Sequence, residues 1–287
     1  MSIRINPLNA IDFYKADHRR QYPVGTEYVY ANFTPRSSRL AKMLPDFDDK
    51  IVFFGLQGFV KHFLIETWNE GFFNQPKAKV VAAYKRRMDN SLGEGAVPVE
   101  HIEALHDLGY LPIVVKTIEE GSLVPMRVPV LTIYNTHPDF YWITNYLETV
   151  ISNLLWKPMT SATIAHQYRK VLTKWQEKTD AERGWFIDWQ GHDFSMRGMD
   201  SVEATIASGL GHLTSFSGTD SLPAIYGARK FYGEQGPVCG SVNATEHSVM
   251  CAGGADAGDR YAGMDGIALH GRPGPRGCDG LARCAAR

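Results

Sequence analysis

The first part of the chain contains two kinds of hydrophobic pattern. Some runs are short and either apolar throughout or alternate between apolar and polar residues, and others are longer and have a helical period. The short runs predict strands at EYVYANFT (27–34), LPIVVKTIEEGSLVP (111–125, strand, turn, strand) and VPVLTIYNT (128–136). Apolar residues at helical spacing predict helices at 7–20, 53–68, 77–108 with a break at SLGEGAVP, 139–156 and 158–179. This mixture predicts an α+β arrangement.

From residue 184 the pattern becomes an alternation of strand and helix. GWFIDW predicts a strand, GHDFSMRGM a loop and DSVEATIASGLGHL a helix, and TSFSG then predicts a short strand before the helix LPAIYGARKFYG. Asp200 and Glu203 are spaced as a capping box at the start of the first helix. Strands and helices in this order predict βαβ units of the kind found in an α/β barrel.

These patterns predict an α/β protein with three segments. We expect an N-terminal α+β domain over 1–180 and part of an irregular α/β barrel over 181–254. Residues 255–287 are rich in Gly, Ala and Arg and lack an apolar period, which predicts a disordered or frameshifted tail.

Charge and composition exclude several classes of function. The formal net charge is −1, so bulk attraction to nucleic acid or to anionic lipid is not expected. The start of the chain lacks the apolar core of a signal peptide, and the 4 cysteines form no CxxC pair, so we expect a cytoplasmic protein without a membrane partner. The sequence contains no HExxH, P-loop or GxSxG motif, and no resident metal site is predicted from it.

The loop GHDFSMRG carries a ring and a guanidinium at the end of a predicted strand, where α/β proteins bind ligands. Phe194 could stack on a planar aromatic ligand or fill the core. Arg197 could bind a phosphate or form a surface salt bridge.

Further candidates follow the next predicted strand. Asp220, in SGTDS, could accept hydrogen bonds from a ligand amide or cap the next helix. Ser241 and His247 lie in GSVNATEHSV, where the histidine could act as a base, bind a phosphate, serve as a nucleophile or be merely structural. His192, by contrast, is expected to be structural.

Six segments in this order resemble the nicotinamide phosphoribosyltransferase family, from about Asn6 to Gly254. They are DFYKADHRRQYP, FFGLQ, LPIVVKTIEEGSLVP with NTHPDFYWITNYLET, HDFSMRG, SFSGTDS and SVNATEHSVMCAGG. The resemblance implies a type II phosphoribosyltransferase fold, an α+β domain beside an irregular α/β barrel. It also implies a homodimer with shared active sites.

The implied reaction joins nicotinamide to 5-phosphoribosyl-1-pyrophosphate and yields nicotinamide mononucleotide and pyrophosphate, a step of NAD biosynthesis. The family uses Mg²⁺, and ATP hydrolysis through a phosphorylated histidine can drive the reaction. By resemblance, His247 is that histidine, and Asp220 accepts a hydrogen bond from the carboxamide. Phe194 stacks under the pyridine, while Arg197 contacts phosphate and Ser241 lies near the bound amide.

Three residues near the N-terminus acquire a role only through the resemblance. Tyr14 closes the other side of the pyridine, and Arg36 contacts phosphate or pyrophosphate, both from the partner subunit. Asp12 matches a family position near the pocket.

The sequence departs from the family pattern after CAGG. An Arg-Pro-Asp-Ser-Gly-type segment and a later glycine-rich loop do not occur, so we expect the Mg²⁺ site and half of the phosphoribosyl site to be missing and transferase activity to be low. Two alternatives stay open, a nicotinate phosphoribosyltransferase and a non-catalytic fragment that binds nicotinamide or pairs with a full-length subunit. Asp220 argues against the first, because a carboxylate repels the carboxylate of nicotinate.

Overall fold

The computed structural model describes residues 5–39, 41, 44, 46–242, 244 and 247–252. In the first part of the chain the elements are, in order, β1 (Tyr30–Phe33), β2 (Lys50–Val52), α1 (Leu56–Phe59), α2 (Lys77–Leu92), α3 (Glu100–Leu108), β3 (Ile113–Thr117), β4 (Leu123–Pro125), β5 (Leu131–Asn135), α4 (Ile143–Tyr146) and α5 (Glu148–Thr179). The predicted strands and most of the predicted helices are confirmed. Helix α1 continues as π-helical turns over Val60–Thr67 and Asn69–Phe73.

The strands form two small antiparallel sheets. One has the order β1-β5-β3, with Phe33 opposite Leu131 and Thr117 opposite the same residue. The other pairs β2 with β4. The predicted strand-turn-strand segment therefore contributes its two strands to different sheets.

Two helix predictions for this part were wrong in detail. The segment 7–20 forms separate 3-10 turns, Pro7–Asn9, Phe13–Ala16 and His18–Gln21. The two helices expected on either side of Lys157 are one helix, α5, with Pro158 inside it. A proline in a helix interior costs about 3 kcal/mol. Burial of Leu155, Met159 and Ala162 on the same helix offsets that cost.

The second part of the chain begins differently from the prediction. The segment GWFIDW is not a strand, because Ala181–Phe186 is a 3-10 helix and α6 (Ile187–Gln190) follows it. Trp185 and Phe186 are exposed, so the aromatic residues that suggested a strand are not packed on a sheet in the described part of the chain.

A short βαβ unit follows, but its first strand lies within the predicted loop GHDFSMRGM and not in GWFIDW. Its elements are β6 (His192–Asp193), α7 (Val202–His212) and β7 (Gly218–Thr219), and β6 pairs with β7 in parallel. Next come α8 (Pro223–Tyr232) and α9 (His247–Ala252), and Gly240 bridges to Gly218 beside β7. The strand predicted at TSFSG is confirmed only at its end.

The start of α7 also differs from the predicted capping box. Ser201 is the N-cap, and its hydroxyl accepts the backbone N–H of Ala204 at 3.0 Å. Asp200 lies one residue too early and instead accepts a hydrogen bond from Lys157 on α5 at 3.1 Å. A serine caps a helix as well as an aspartate does, so the helix keeps its predicted start.

Buried apolar residues form two cores. The first core lies among α1–α5 and the two antiparallel sheets, around side chains such as Phe53, Trp68, Phe72 and Ile143. The second core is small and consists of Val52, Phe54, Ala162, Leu210, Leu213, Ala224, Ala228 and Tyr232. Helices α7 and α8 therefore pack on β2 and α5 from the first part of the chain.

The division at residue 180 stays a prediction. Helix α5 ends at Thr179, close to the expected boundary, but its residue Ala162 belongs to the second core. The tail predicted over 255–287 lies outside the described residues. Among the helices of the described residues, none has the length and apolar content needed to cross a membrane.

Candidate functional site

The carboxylate of Asp193 ties the loop after β6 to β7. Its Oδ1 accepts the backbone N–H of Ser195 at 2.9 Å, and its Oδ2 accepts the hydroxyl of Thr219 at 3.3 Å. Asp193 is buried. Burial by itself raises the pKa of this carboxyl, but the hydrogen bonds that it accepts outweigh burial and hold the pKa below its usual value. The loop therefore starts from a fixed, ionised anchor.

This loop presents Phe194 and Arg197 to the surface. Phe194 precedes the 3-10 turn Ser195–Gly198, and its side chain is 65% exposed, which excludes the core alternative. Arg197 is exposed too, and no residue in the described part of the chain forms an ion pair with it. Both side chains are free to meet a ligand.

Asp220 follows β7 and lies beside the same loop. Its backbone N–H donates to the carbonyl oxygen of Asp193 at 2.9 Å. Its Oδ1 accepts hydrogen bonds from the hydroxyl of Ser241 and from Nε2 of His192, the latter at 2.9 Å. Both hydrogen bonds lower the pKa of Asp220, and the bond from Ser241 has the larger effect. The N-cap of α8 is Leu222, so Asp220 does not cap that helix.

His192 joins the two candidates for ligand binding. Its ring centroid lies 4.6 Å from that of Phe194, with 34° between the ring planes, while its Nε2 contacts Asp220. The structure therefore brings together Phe194, Asp220 and Ser241, three of the residues predicted for the site. The sequence analysis missed the part of His192, because its contact with Asp220 joins residues 28 positions apart.

Asp12 and Tyr14 lie elsewhere, at the start of the turn Phe13–Ala16. Asp12 accepts the hydroxyl of Thr149 at 2.8 Å, and Tyr14 is 58% exposed with its ring 5.0 Å from that of His18. Next to it, the buried Lys15 donates to Asn145 at 2.5 Å and forms an ion pair with Glu148. The contacts of Lys15 therefore hold the backbone next to Tyr14 in place.

Arg36 is exposed just beyond β1. The carbonyl oxygen of the preceding Pro35 accepts the N–H of Arg127, a non-glycine residue with φ of 67°. The chain segment before Arg36 is therefore held against the turn that precedes β5.

One chain keeps these groups apart. On α5, Thr149 donates a hydrogen bond to Asp12, and Lys157 donates one to Asp200, the residue before the N-cap of α7. Thr149 and Lys157 are about 12 Å apart along the helix. Among the described residues, no hydrogen bond, ion pair or ring contact links Asp12, Tyr14 or Arg36 to Phe194 or Asp220. Their supply by a partner subunit stays a prediction.

His247 is the first residue of α9, and its side chain lies outside the described residues. Where the chain is described, no three His, Cys, Asp or Glu side chains are grouped as a metal site would require. A groove of about 600 Å³ lies between α1 and β3, lined by apolar residues such as Leu64, Phe73 and Ile113. It contains none of the predicted site residues, so its size alone does not make it the site.

Comparison with known proteins gives a consistent family. Residues 6–81 match the family model described as nicotinamide phosphoribosyltransferase, N-terminal domain. Residues 189–262 match the nicotinate phosphoribosyltransferase (NAPRTase) family. The second match includes the βαβ unit and the residues around Asp220.

Among curated relatives, a nicotinamide phosphoribosyltransferase of Acinetobacter baylyi is 69% identical over 253 residues, which are 88% of this chain and 50% of that protein. A nicotinamide phosphoribosyltransferase of Mycoplasma genitalium is 30% identical over 270 residues, or 89% of this chain and 55% of that protein. The chain thus spans about half the length of the curated relatives it matches.

A solved structure shares the fold. The crystal structure of human nicotinic acid phosphoribosyltransferase superimposes with a TM-score of 0.51 at 17% identity, covering 84% of this chain and 40% of that one. The α/β fold expected from the sequence is confirmed by this likeness. The two family models and the 69% identical relative lead to one conclusion: the chain belongs to the nicotinamide phosphoribosyltransferase family.

Proposed function

We propose that this chain carries the nicotinamide-binding part of a nicotinamide phosphoribosyltransferase, which makes nicotinamide mononucleotide and pyrophosphate from nicotinamide and 5-phosphoribosyl-1-pyrophosphate. The observation that supports this most strongly is the junction at His192, where the exposed ring of Phe194 and the carboxylate of Asp220 meet the same imidazole. A flat ring beside a hydrogen-bond acceptor matches the two parts of nicotinamide, its pyridine and its carboxamide.

The chemistry of ribosyl transfer fits this arrangement. The transition state is oxocarbenium-like, so the site must mainly hold the weakly nucleophilic pyridine nitrogen in line with the ribose carbon. Phe194 can hold the ring by stacking without adding charge. In the proposed dimer, Tyr14 of a second copy closes the other face of the ring.

Asp220 accounts for the choice of the amide. An aspartate carboxyl is ionised near neutral pH, the lowered pKa of Asp220 favours the same form, and an ionised carboxylate accepts a hydrogen bond from an NH₂ group. The same charge repels the carboxylate of nicotinate. The match of 189–262 to the nicotinate family keeps nicotinate as the second candidate substrate.

The remaining residues complete the proposal. Arg197 and, from the partner, Arg36 bind the phosphates of the ribosyl donor, since free guanidinium groups can make bidentate contacts with phosphate. Ser241 lies near the amide through its bond to Asp220. Asp12 supports the position of Tyr14, and His247 is the histidine that accepts a phosphoryl group.

Mg²⁺ and ATP enter the proposal only through the family resemblance. The described residues hold no group of three side chains suited to a metal, so they do not fit a Mg²⁺ site by themselves. No step is therefore assigned to the ion here. The expected location of the protein is the cytoplasm.

Binding of the two pyridines to the purified chain tests the proposal. We expect nicotinamide to bind about tenfold or more tightly than nicotinate, because of the charge of Asp220. Equal or tighter binding of nicotinate would overturn the choice of substrate. Both ligands are also incubated with 5-phosphoribosyl-1-pyrophosphate and Mg²⁺. Formation of nicotinamide mononucleotide would exclude the non-catalytic fragment, whereas binding without product would favour it.

A further inference from the structure

His192 contacts both halves of the proposed ligand site without being one of the residues assigned to the ligand. Its Nε2 lies 2.9 Å from Oδ1 of Asp220, and its side chain is 21% exposed. An ionised carboxylate can only accept hydrogen bonds, so Nε2 carries the proton and donates it. The contact therefore has a fixed direction, from the imidazole to the carboxylate.

The bond fixes how the carboxylate of Asp220 is turned. His192 and Ser241 both donate to Oδ1, and no described residue donates to Oδ2. Two donors on one oxygen hold the carboxylate against rotation about its last side-chain bond. Oδ2 is then left as the acceptor for a ligand NH₂.

The imidazole is itself held in place. His192 pairs with Gly218 across β6 and β7, and a Cβ at Gly218 would lie 2.6 Å from Nδ1 of the imidazole. Only glycine leaves room for the ring in this position. On its other side the ring packs near Phe194, whose side chain stays 65% exposed and so keeps surface open for a pyridine.

We propose that His192 is a positioning residue that sets amide recognition, by holding Asp220 so that Oδ2 faces the carboxamide of the bound pyridine. This inference rests on the proposed function of the site. It adds a determinant of specificity that acts through Asp220 and does not itself touch the carboxamide.

A matched pair of variants separates the hydrogen bond from the ring. His192→Phe keeps a ring beside Phe194 and removes the donor, while His192→Gln keeps a donor near Asp220 and removes the ring. Binding of nicotinamide and of 3-methylpyridine, which lacks the amide, is measured for each by titration calorimetry. The midpoint of thermal unfolding reports whether each variant is folded.

We expect His192→Phe to weaken nicotinamide binding about tenfold, the usual worth of a hydrogen bond to a charged group, and to leave 3-methylpyridine within about twofold. We expect His192→Gln to restore most of the nicotinamide affinity. In an Asp220→Ala background, His192→Phe should have no further effect on nicotinamide, because its route of action is gone.

Two results would overturn the inference. One is equal weakening of both ligands by His192→Phe, which would mark a structural role. The other is unchanged nicotinamide binding by His192→Phe while Asp220→Ala weakens it, which would leave the proposed function intact. If Asp220→Ala itself had no effect, the proposed function would fail instead.

Discussion

The first core is built from one stretch of the chain, whereas the second core joins residues of that stretch to later ones. Every buried residue of the first core comes from the segment between Leu8 and Met159. The second core joins Val52, Phe54 and Ala162 to residues of α7 and α8. The loop with Phe194 leads into α7 and Asp220 lies just before α8, two helices that contribute to this smaller core. Its geometry therefore depends on a helix, α5, that belongs mainly to the first part of the chain.

Both regions of the molecule contribute residues to the candidate site. Tyr14 stands on α4 and α5 through Lys15, whereas Phe194 and Asp220 are fixed to each other through His192 and Asp193. Polar contacts therefore hold both groups, those of Lys15 for Tyr14 and those of His192 and Asp193 for Phe194 and Asp220. Damage to the contact between α5 and α7 should consequently affect the ligand site before it affects the first core.

The largest effect is expected from Gly211→Ala. A Cβ at Gly211 would lie 2.7 Å from the carbonyl oxygen of Pro158 and 2.8 Å from the nitrogen of Ala162, both backbone atoms of α5. Overpacking of this kind costs about 3 kcal/mol. We expect denaturant unfolding to show that loss. Gly236→Ala, with open space around it, is the matched control. Equal stability of the two variants would contradict a dependence of the second core on α5.

A smaller effect is expected from the pH dependence of the first core. His101 is buried against Trp142, and burial, with the charge of Arg19, lowers its pKa to about 3. As the pH falls below about 6.5, His101 therefore binds a proton in the unfolded chain but stays neutral in the folded chain. Stability from His101 is complete above that pH and is lost as the pH falls toward 3, by about 2 kcal/mol at pH 5.

His101→Phe isolates this contribution. The variant keeps an aromatic ring beside Trp142 but cannot bind the proton, so its unfolding free energy should fall about 2 kcal/mol less between pH 7 and pH 5 than that of the parent. Urea unfolding at the two pH values measures the difference. An identical pH dependence of parent and variant would show that His101 does not stay neutral in the core.

The smallest effect concerns the start of α7. Ser201→Ala removes the N-cap hydrogen bond to Ala204 and should cost about 1 kcal/mol. Asp200→Ala removes only an exposed ion pair with Lys157, which solvent screens, and should cost clearly less than Ser201→Ala. Unfolding of the two variants under the same conditions compares them. A larger loss for Asp200→Ala would restore the capping box expected from the sequence.

The sequence correctly predicted elements in which the hydrophobic period and the turn residues at the ends indicate the same structure. It failed where tertiary contacts determine the local structure. β5, α2 and α8 have a clear period with turn residues at their ends, and all three are confirmed. The aromatic run around Trp185 suggested a strand, but the described structure provides no neighbouring strand for it. Pro158 suggested a break, which burial of its neighbours overrides.

The candidate site divides in the same way. Phe194, Asp220 and Ser241 could be selected as ligand-binding candidates, because each follows a predicted strand or matches a family motif. That they meet at His192 could not be predicted, since the contact arises from the parallel pairing of β6 with β7. The contact of Asp193 with Thr219 could likewise not be predicted, because the two residues become neighbours only when the sheet forms.

Titration of nicotinamide into the parent chain and into Asp220→Ala tests the central claim most directly. The account predicts saturable binding to the parent and binding about tenfold weaker to the variant, with both proteins unfolding at similar temperatures. The same affinity for both proteins would contradict the account, because the carboxamide would then have no partner at position 220.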